Sequence, residues 1–245
     1  MKTTILSLFL SLVLSFNLAA EIVHFKAEDG FQLQASYVSG GIGSTKAVLM
    51  LHQCNRDKDM YTSLAKSLAA EGIHSLALDL RGYGGSTNEQ YVKQEAAIDT
   101  STREKLIAHY RSMMENVWPL DVDAAYKTLV KKVGGNNIAF IGASCGGEQG
   151  IKLAKKYQPK SFIFFSAPMN EATVADFEKL NHIPAMIIAA QGDTPTFKSS
   201  NEIFLAAKNK ATRLFSYKGK GHGEPLFELD SNLEKMMLVW FKEYL

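Results

Sequence analysis

The feature that most constrains this chain is a run of short, uninterrupted apolar segments separated by stretches with helical spacing. Residues 46–51, Lys-Ala-Val-Leu-Met-Leu, are apolar at successive positions rather than alternate ones. A strand of that kind has no wet face and belongs in the middle of a sheet covered on both sides. Residues 73–78, 138–141, 161–166, 185–190 and 212–217 also read as strands. Between and after them, 61–71, 113–132, 147–157, 171–180, 200–207 and 233–244 carry apolar residues at helical spacing. Two earlier runs, 22–25 and 32–38, are joined through Asp29-Gly30, a hairpin signal. The expectation is an α/β fold: eight strands, mostly parallel with an antiparallel start, flanked by helices.

The N-terminus follows other rules. Lys2 precedes an apolar run over 5–14 broken only by Ser7 and Ser11, and Asn17-Leu-Ala-Ala20 leads into Glu21. This is the shape of a secretory signal peptide, 1–20, expected to be cut after Ala20, with an uncleaved membrane anchor as the alternative. The run is short for spanning, which takes about 20 apolar residues, so no stable membrane insertion is expected after cleavage. The mature protein is expected to be periplasmic or secreted. Residues 21–245 form one domain, with a polar stretch at 87–117 as an insertion or lid. Formal net charge is +2 and the charges are interspersed, which speaks against a nucleic-acid partner. No Cys/His spacing suggests a metal, and Gly40 to Lys46 precedes a strand where a phosphate loop would follow one. No cofactor is expected; the oligomeric state is left open.

In parallel sheets, chemistry collects just after the carboxyl ends of the strands. After residue 141 comes Gly142-Ala-Ser144-Cys-Gly146-Gly147 and then a helix. A G-x-S-x-G turn between strand and helix exposes the serine at its apex, and small neighbours are needed because the turn is tight. A capping serine in an ordinary β–α turn is the alternative; the buried strand and following helix favour Ser144 as a nucleophile. His222, between Gly221 and Gly223 after the last strand, is positioned to be its base. Asp193, after the strand ending at residue 190, is the preferred acid to orient His222, with Glu171 as its rival. An oxyanion hole needs two backbone N–H groups. Cys145, after the nucleophile, supplies one; in the loop Leu51-His-Gln-Cys-Asn55, Cys54 is preferred for the other, with Gln53 second. His52 shapes that loop. The turn Asp79-Leu-Arg81-Gly-Tyr-Gly-Gly-Ser86 is structural.

These motifs together resemble the α/β-hydrolase superfamily over essentially the whole mature sequence: Leu51-His52, Asp79 to Ser86, Gly142 to Gly147, Gly192-Asp193 and Gly221-His222. Among its branches the chain is nearest to dienelactone-hydrolase-like and small esterase proteins, which often carry Cys where Ser144 stands. It departs from the usual pattern in reading His-Gln where His-Gly is common, and Ala190 where Gly often opens the acid loop. The resemblance implies hydrolysis of an ester or related acyl bond in a small-molecule substrate, through an acyl-enzyme. A peptidase or thioesterase on the same triad, or a non-catalytic binder, are the alternatives. Gln53, Tyr83, Trp118 and Met169 are expected at the substrate pocket, a core role for Trp118 being equally open. Because both oxyanion amides must face one oxygen, Cys54 and Cys145 are expected within disulfide reach, either bridged or as two buried thiols.

Overall fold

The computed structural model describes residues 19–91 and 101–245. The expected signal segment lies outside the described residues up to residue 18, as does the 92–100 part of the expected lid.

Eight strands form one sheet: β1 (Glu21–Lys26), β2 (Gln32–Val38), β3 (Lys46–Leu51), β4 (His74–Leu78), β5 (Asn137–Ala143), β6 (Phe162–Phe165), β7 (Ala185–Ala190) and β8 (Arg213–Tyr217). Their spatial order is 1-2-4-3-5-6-7-8. β2 is antiparallel to both β1 and β4, and every pairing from β4 through β8 is parallel. The helices are α1 (Thr62–Ala70), α2 (Arg103–Ser112), α3 (Trp118–Val133), α4 (Cys145–Tyr157), α5 (Glu171–Glu178), α6 (Thr194–Ala206), α7 (Leu226–Leu229) and α8 (Leu233–Tyr244).

The two-residue period of the strands divides the core in two. Leu49 and Leu51 of β3 face one side with Phe140, Phe162 and Ile187, under Val122 and Leu129 of α3, Ile151 of α4, Phe177 of α5 and Ile203 of α6. Val48 and Met50 face the other with Ile141, Ile163 and Ile188, under Leu64 and Leu68 of α1 and Met237 and Phe241 of α8. All six residues of β7 are buried, whereas β8, at the sheet edge, is half-exposed.

The polar insertion contains a helix that its composition conceals. α2 is capped by the Thr102 hydroxyl, which accepts from the Lys105 N–H at 3.3 Å. A single π-helical turn, Met113–Val117, joins it to α3. The Trp118 N–H donates to the Met113 carbonyl, five residues back, and Pro119 has no N–H to continue that pattern to Met114, so the ladder is interrupted there. The Met114 carbonyl instead accepts from Gln149 Nε2 at 2.9 Å and Lys152 Nζ at 2.7 Å, both on α4.

The turn after β4 is a buried polar hub. Asp79 accepts from the N–H groups of Lys58 and Gly85, each at 2.9 Å, and ion-pairs with Lys58 at 3.3 Å. Arg81 lies between Asp121 and Asp29, with contacts of 2.7 and 2.6 Å. The turn is structural, as expected from the sequence.

Candidate active site

Register brings the site together. In the parallel β3–β5 pair, Leu51 stands opposite Gly142. Three residues beyond each of these, past the strand ends, come Cys54 and Cys145, so the loop after β3 and the start of α4 meet side by side. The two cysteines are joined by a disulfide with Cα atoms 5.9 Å apart, within the usual range of about 4.4–6.8 Å. β7 pairs Ala190 with Tyr217 of β8, and Asp193 and His222 follow those two strand ends.

Ser144 occupies the turn between β5 and α4 with φ 50° and ψ −120°, a region a side-chain-bearing residue adopts only when its surroundings enforce it. The enforcement is visible. Its N–H donates to the Phe165 carbonyl at 2.9 Å, and its carbonyl accepts from the Gly147 N–H at 3.0 Å. A Cβ on Gly142 would run into the Gly146 carbonyl, and one on Gly146 into the Leu51 carbonyl. The glycines are therefore needed for chain packing as well as for the turn itself.

His222 lies between the other two residues. Its Nδ1 is 2.6 Å from Asp193 Oδ2 and its Nε2 is 2.8 Å from Ser144 Oγ. A carboxylate only accepts, so Nδ1 carries the proton and Nε2 offers its lone pair to the serine hydroxyl. Asp193 immediately precedes α6, and its side chain does not cap that helix. The rival acid, Glu171, is exposed in the first turn of α5, behind the Asn170 cap.

The loop after β3 is held by His52. The Leu80 N–H donates to His52 Nε2 at 3.0 Å, which leaves the ring proton on Nδ1, 2.8 Å from the Gln53 carbonyl. Full burial pulls the His52 pKa down and keeps the ring neutral. The Gln53–Cys54 peptide is trans, so fixing the Gln53 carbonyl turns the Cys54 N–H to the opposite side of the peptide. Neither the Cys54 nor the Cys145 N–H donates to a protein acceptor among the described residues.

The family model described as serine aminopeptidase, S33, matches residues 43–189. The chain belongs to this α/β-hydrolase family. The match runs from the turn before β3 to the end of β7 and includes the Ser144 elbow, ending before Asp193 and His222. Two uncharacterized proteins from strains of Mycobacterium tuberculosis are 25% identical over 230 residues, covering 84% of this chain and 74% of each of theirs. A dienelactone hydrolase from Anabaena variabilis superposes with a TM-score of 0.70 at 17% identity, over 93% of this chain and 98% of that one. A Pyrococcus furiosus esterase superposes with a TM-score of 0.68 at 17% identity, over 93% and 91%. At such identities the likeness is one of fold.

In this α/β-hydrolase two of the four residues expected at the substrate pocket are engaged elsewhere. Trp118 is fully buried and its indole N–H donates to the Arg81 carbonyl at 3.0 Å; it is a core residue, because its one polar atom is satisfied inside the fold. Gln53 is 2% exposed and its amide is spent on the chain's own groups, Nε2 donating to Asn55 Oδ1 at 2.6 Å and Oε1 accepting from the Glu224 N–H at 2.8 Å. Tyr83 packs edge-on against His52, ring centroids 4.9 Å apart. Met169 follows β6; its N–H donates to Ser199 Oγ at 3.1 Å, and its methyl lies beside Gly147.

Proposed function

We propose that this α/β-hydrolase is a serine esterase, cleaving a small-molecule acyl ester through Ser144, His222 and Asp193. The observation that carries the reading is the continuous hydrogen-bonded line from Asp193 through His222 to Ser144 Oγ. His222 Nε2 takes the hydroxyl proton as Ser144 Oγ attacks the acyl carbon, and Asp193 holds the ring in the required tautomer. The developing oxyanion is met by the Cys145 and Cys54 N–H groups, the first lying at the positive end of α4. The imidazolium returns its proton to the leaving alkoxide, and water, deprotonated by the same ring, releases the acid from the acyl-enzyme.

The family description favours a second reading, a peptidase on the same residues. Esterases and a dienelactone hydrolase among the fold neighbours accord with the first. The enzyme acts after export, with residues 1–20 removed; the N-terminal pattern and the Cys54–Cys145 disulfide, a bond that persists in oxidising compartments, support this.

The test is a panel offered to the protein beginning at Glu21: acyl esters of graded chain length, acyl thioesters and aminoacyl amides. Ester turnover that disappears in Ser144→Ala is the expected result. Turnover of aminoacyl amides alone would select the peptidase, and no turnover across the panel would contradict the enzymatic reading.

A further inference from the structure

The loop after β3 is joined to the nucleophile turn by the Cys54–Cys145 disulfide. It is also joined to the loop that carries His222, through Gln53. The Gln53 side-chain carbonyl, buried with the rest of that residue, accepts from the Glu224 N–H at 2.8 Å, two residues beyond His222. The Gln53 Nε2 is fixed in turn by Asn55 Oδ1 at 2.6 Å, so the amide does not rotate freely. Between His222 and Glu224, Gly223 has φ 67°, and a Cβ there would overlap Gln53 Oε1. The base loop thus passes in direct contact with the amide. Arg56 adds an ion pair to the Glu224 carboxylate at the surface; both side chains are solvated, so this link is the weaker one.

We propose that Gln53 is a positioning residue for His222: its side-chain carbonyl holds the base loop in register with the oxyanion loop. This rests on the proposed triad. His222 sits in a glycine-flanked loop, with Gly219, Gly221 and Gly223 around it, and its hydrogen bonds to Asp193 and Ser144 fix only the ring. Gln53 fixes the backbone behind it. Through the disulfide on one side and the Glu224 N–H on the other, one loop sets nucleophile, oxyanion donor and base relative to each other. A side chain with an amide carbonyl can span to Glu224, and a glycine at this position cannot.

The experiment compares Gln53→Met, which keeps the length and removes the acceptor, with Gln53→Glu, which keeps an acceptor oxygen. Each is read by steady-state kinetics on an ester that the wild type hydrolyses and by hydrogen exchange of the peptide containing Glu224. Small misplacements of catalytic groups cost up to about a hundredfold, so Gln53→Met should lower kcat by about ten- to a hundredfold. KM should stay within about threefold, as expected when an interaction is lost mainly in the transition state. Exchange at Glu224 should accelerate in Gln53→Met, and Gln53→Glu should restore both readouts toward the wild type. Unchanged kcat and exchange in Gln53→Met would overturn the proposal, as would a loss of kcat in Gln53→Met with exchange at Glu224 unchanged, since packing would then be the cause. Should Gln53→Met not fold, Gln53→Asn, which withdraws the carbonyl by one methylene, carries the same expectations. If the wild type hydrolyses nothing, the esterase reading fails and the exchange comparison alone decides whether Gln53 holds the loop.

Discussion

Cys54 and Cys145, 91 positions apart in the chain, are bonded to each other beside the residue proposed as nucleophile. The bond links the two backbone stretches whose N–H groups are proposed to meet the oxyanion. Intact-mass analysis of the non-reduced mature protein should show the loss of two hydrogens relative to the reduced form. Replacing both cysteines by alanine should cost about 2–5 kcal/mol of stability, the usual range for losing a native disulfide. Two freely alkylatable thiols in the native protein would contradict the assignment.

The nucleophile turn should tolerate no Cβ at Gly146. The clash there is with the Leu51 carbonyl, which belongs to the sheet and has nowhere to go. Gly146→Ala should lower stability by about 1–3 kcal/mol, as forced overpacking does, measured by urea unfolding, and should lower kcat because the elbow and the β3 loop move apart. Wild-type stability and turnover in that variant would show that the turn is less tightly enclosed than its geometry indicates.

Asp193→Asn should reduce turnover by about ten-thousandfold, because an amide that presents its N–H to the ring favours the wrong His222 tautomer. Glu171→Gln should leave turnover near the wild-type value, since that carboxylate is exposed at the start of α5. Steady-state kinetics on one ester decides the matter, and a crippled Glu171→Gln enzyme would reassign the acid.

Asp121→Ala should be among the most destabilising changes away from the site. Asp121 is fully buried and accepts from the Arg81 side chain at 2.7 Å and from its backbone N–H at 3.0 Å. Removing one partner of a buried ion pair leaves an uncompensated charge and costs about 3–5 kcal/mol. A shift in the unfolding midpoint corresponding to less than about 1 kcal/mol would mean that Asp29 alone satisfies Arg81.

Much of this was legible in the sequence because it is written locally. The uniformly apolar run of β3 announces a central strand, and the Gly142 to Gly147 turn announces the elbow. Asp193 and His222 follow from strand order. What was missed is non-local or masked by composition. α6 begins at Thr194 rather than Ser200: Pro195 stands in its first turn, where its missing N–H costs nothing. α2 has no continuous apolar stripe, so periodicity did not reveal it. Trp118 gave no sign of which side of the sheet would enclose it. The Gln53–Glu224 contact joins residues 171 positions apart; its one trace in the sequence is a glutamine where a glycine is usual, a departure that points only to the pocket or the oxyanion loop.

The account stands on Ser144 being activated by His222, and labelling with a fluorophosphonate followed by intact-mass and peptide analysis tests that most directly. The wild type should take up one phosphonyl group, located on Ser144, while Ser144→Ala takes up none and loses turnover by about a millionfold. Equal labelling of Ser144→Ala, or a modified site elsewhere in the wild type, would contradict it.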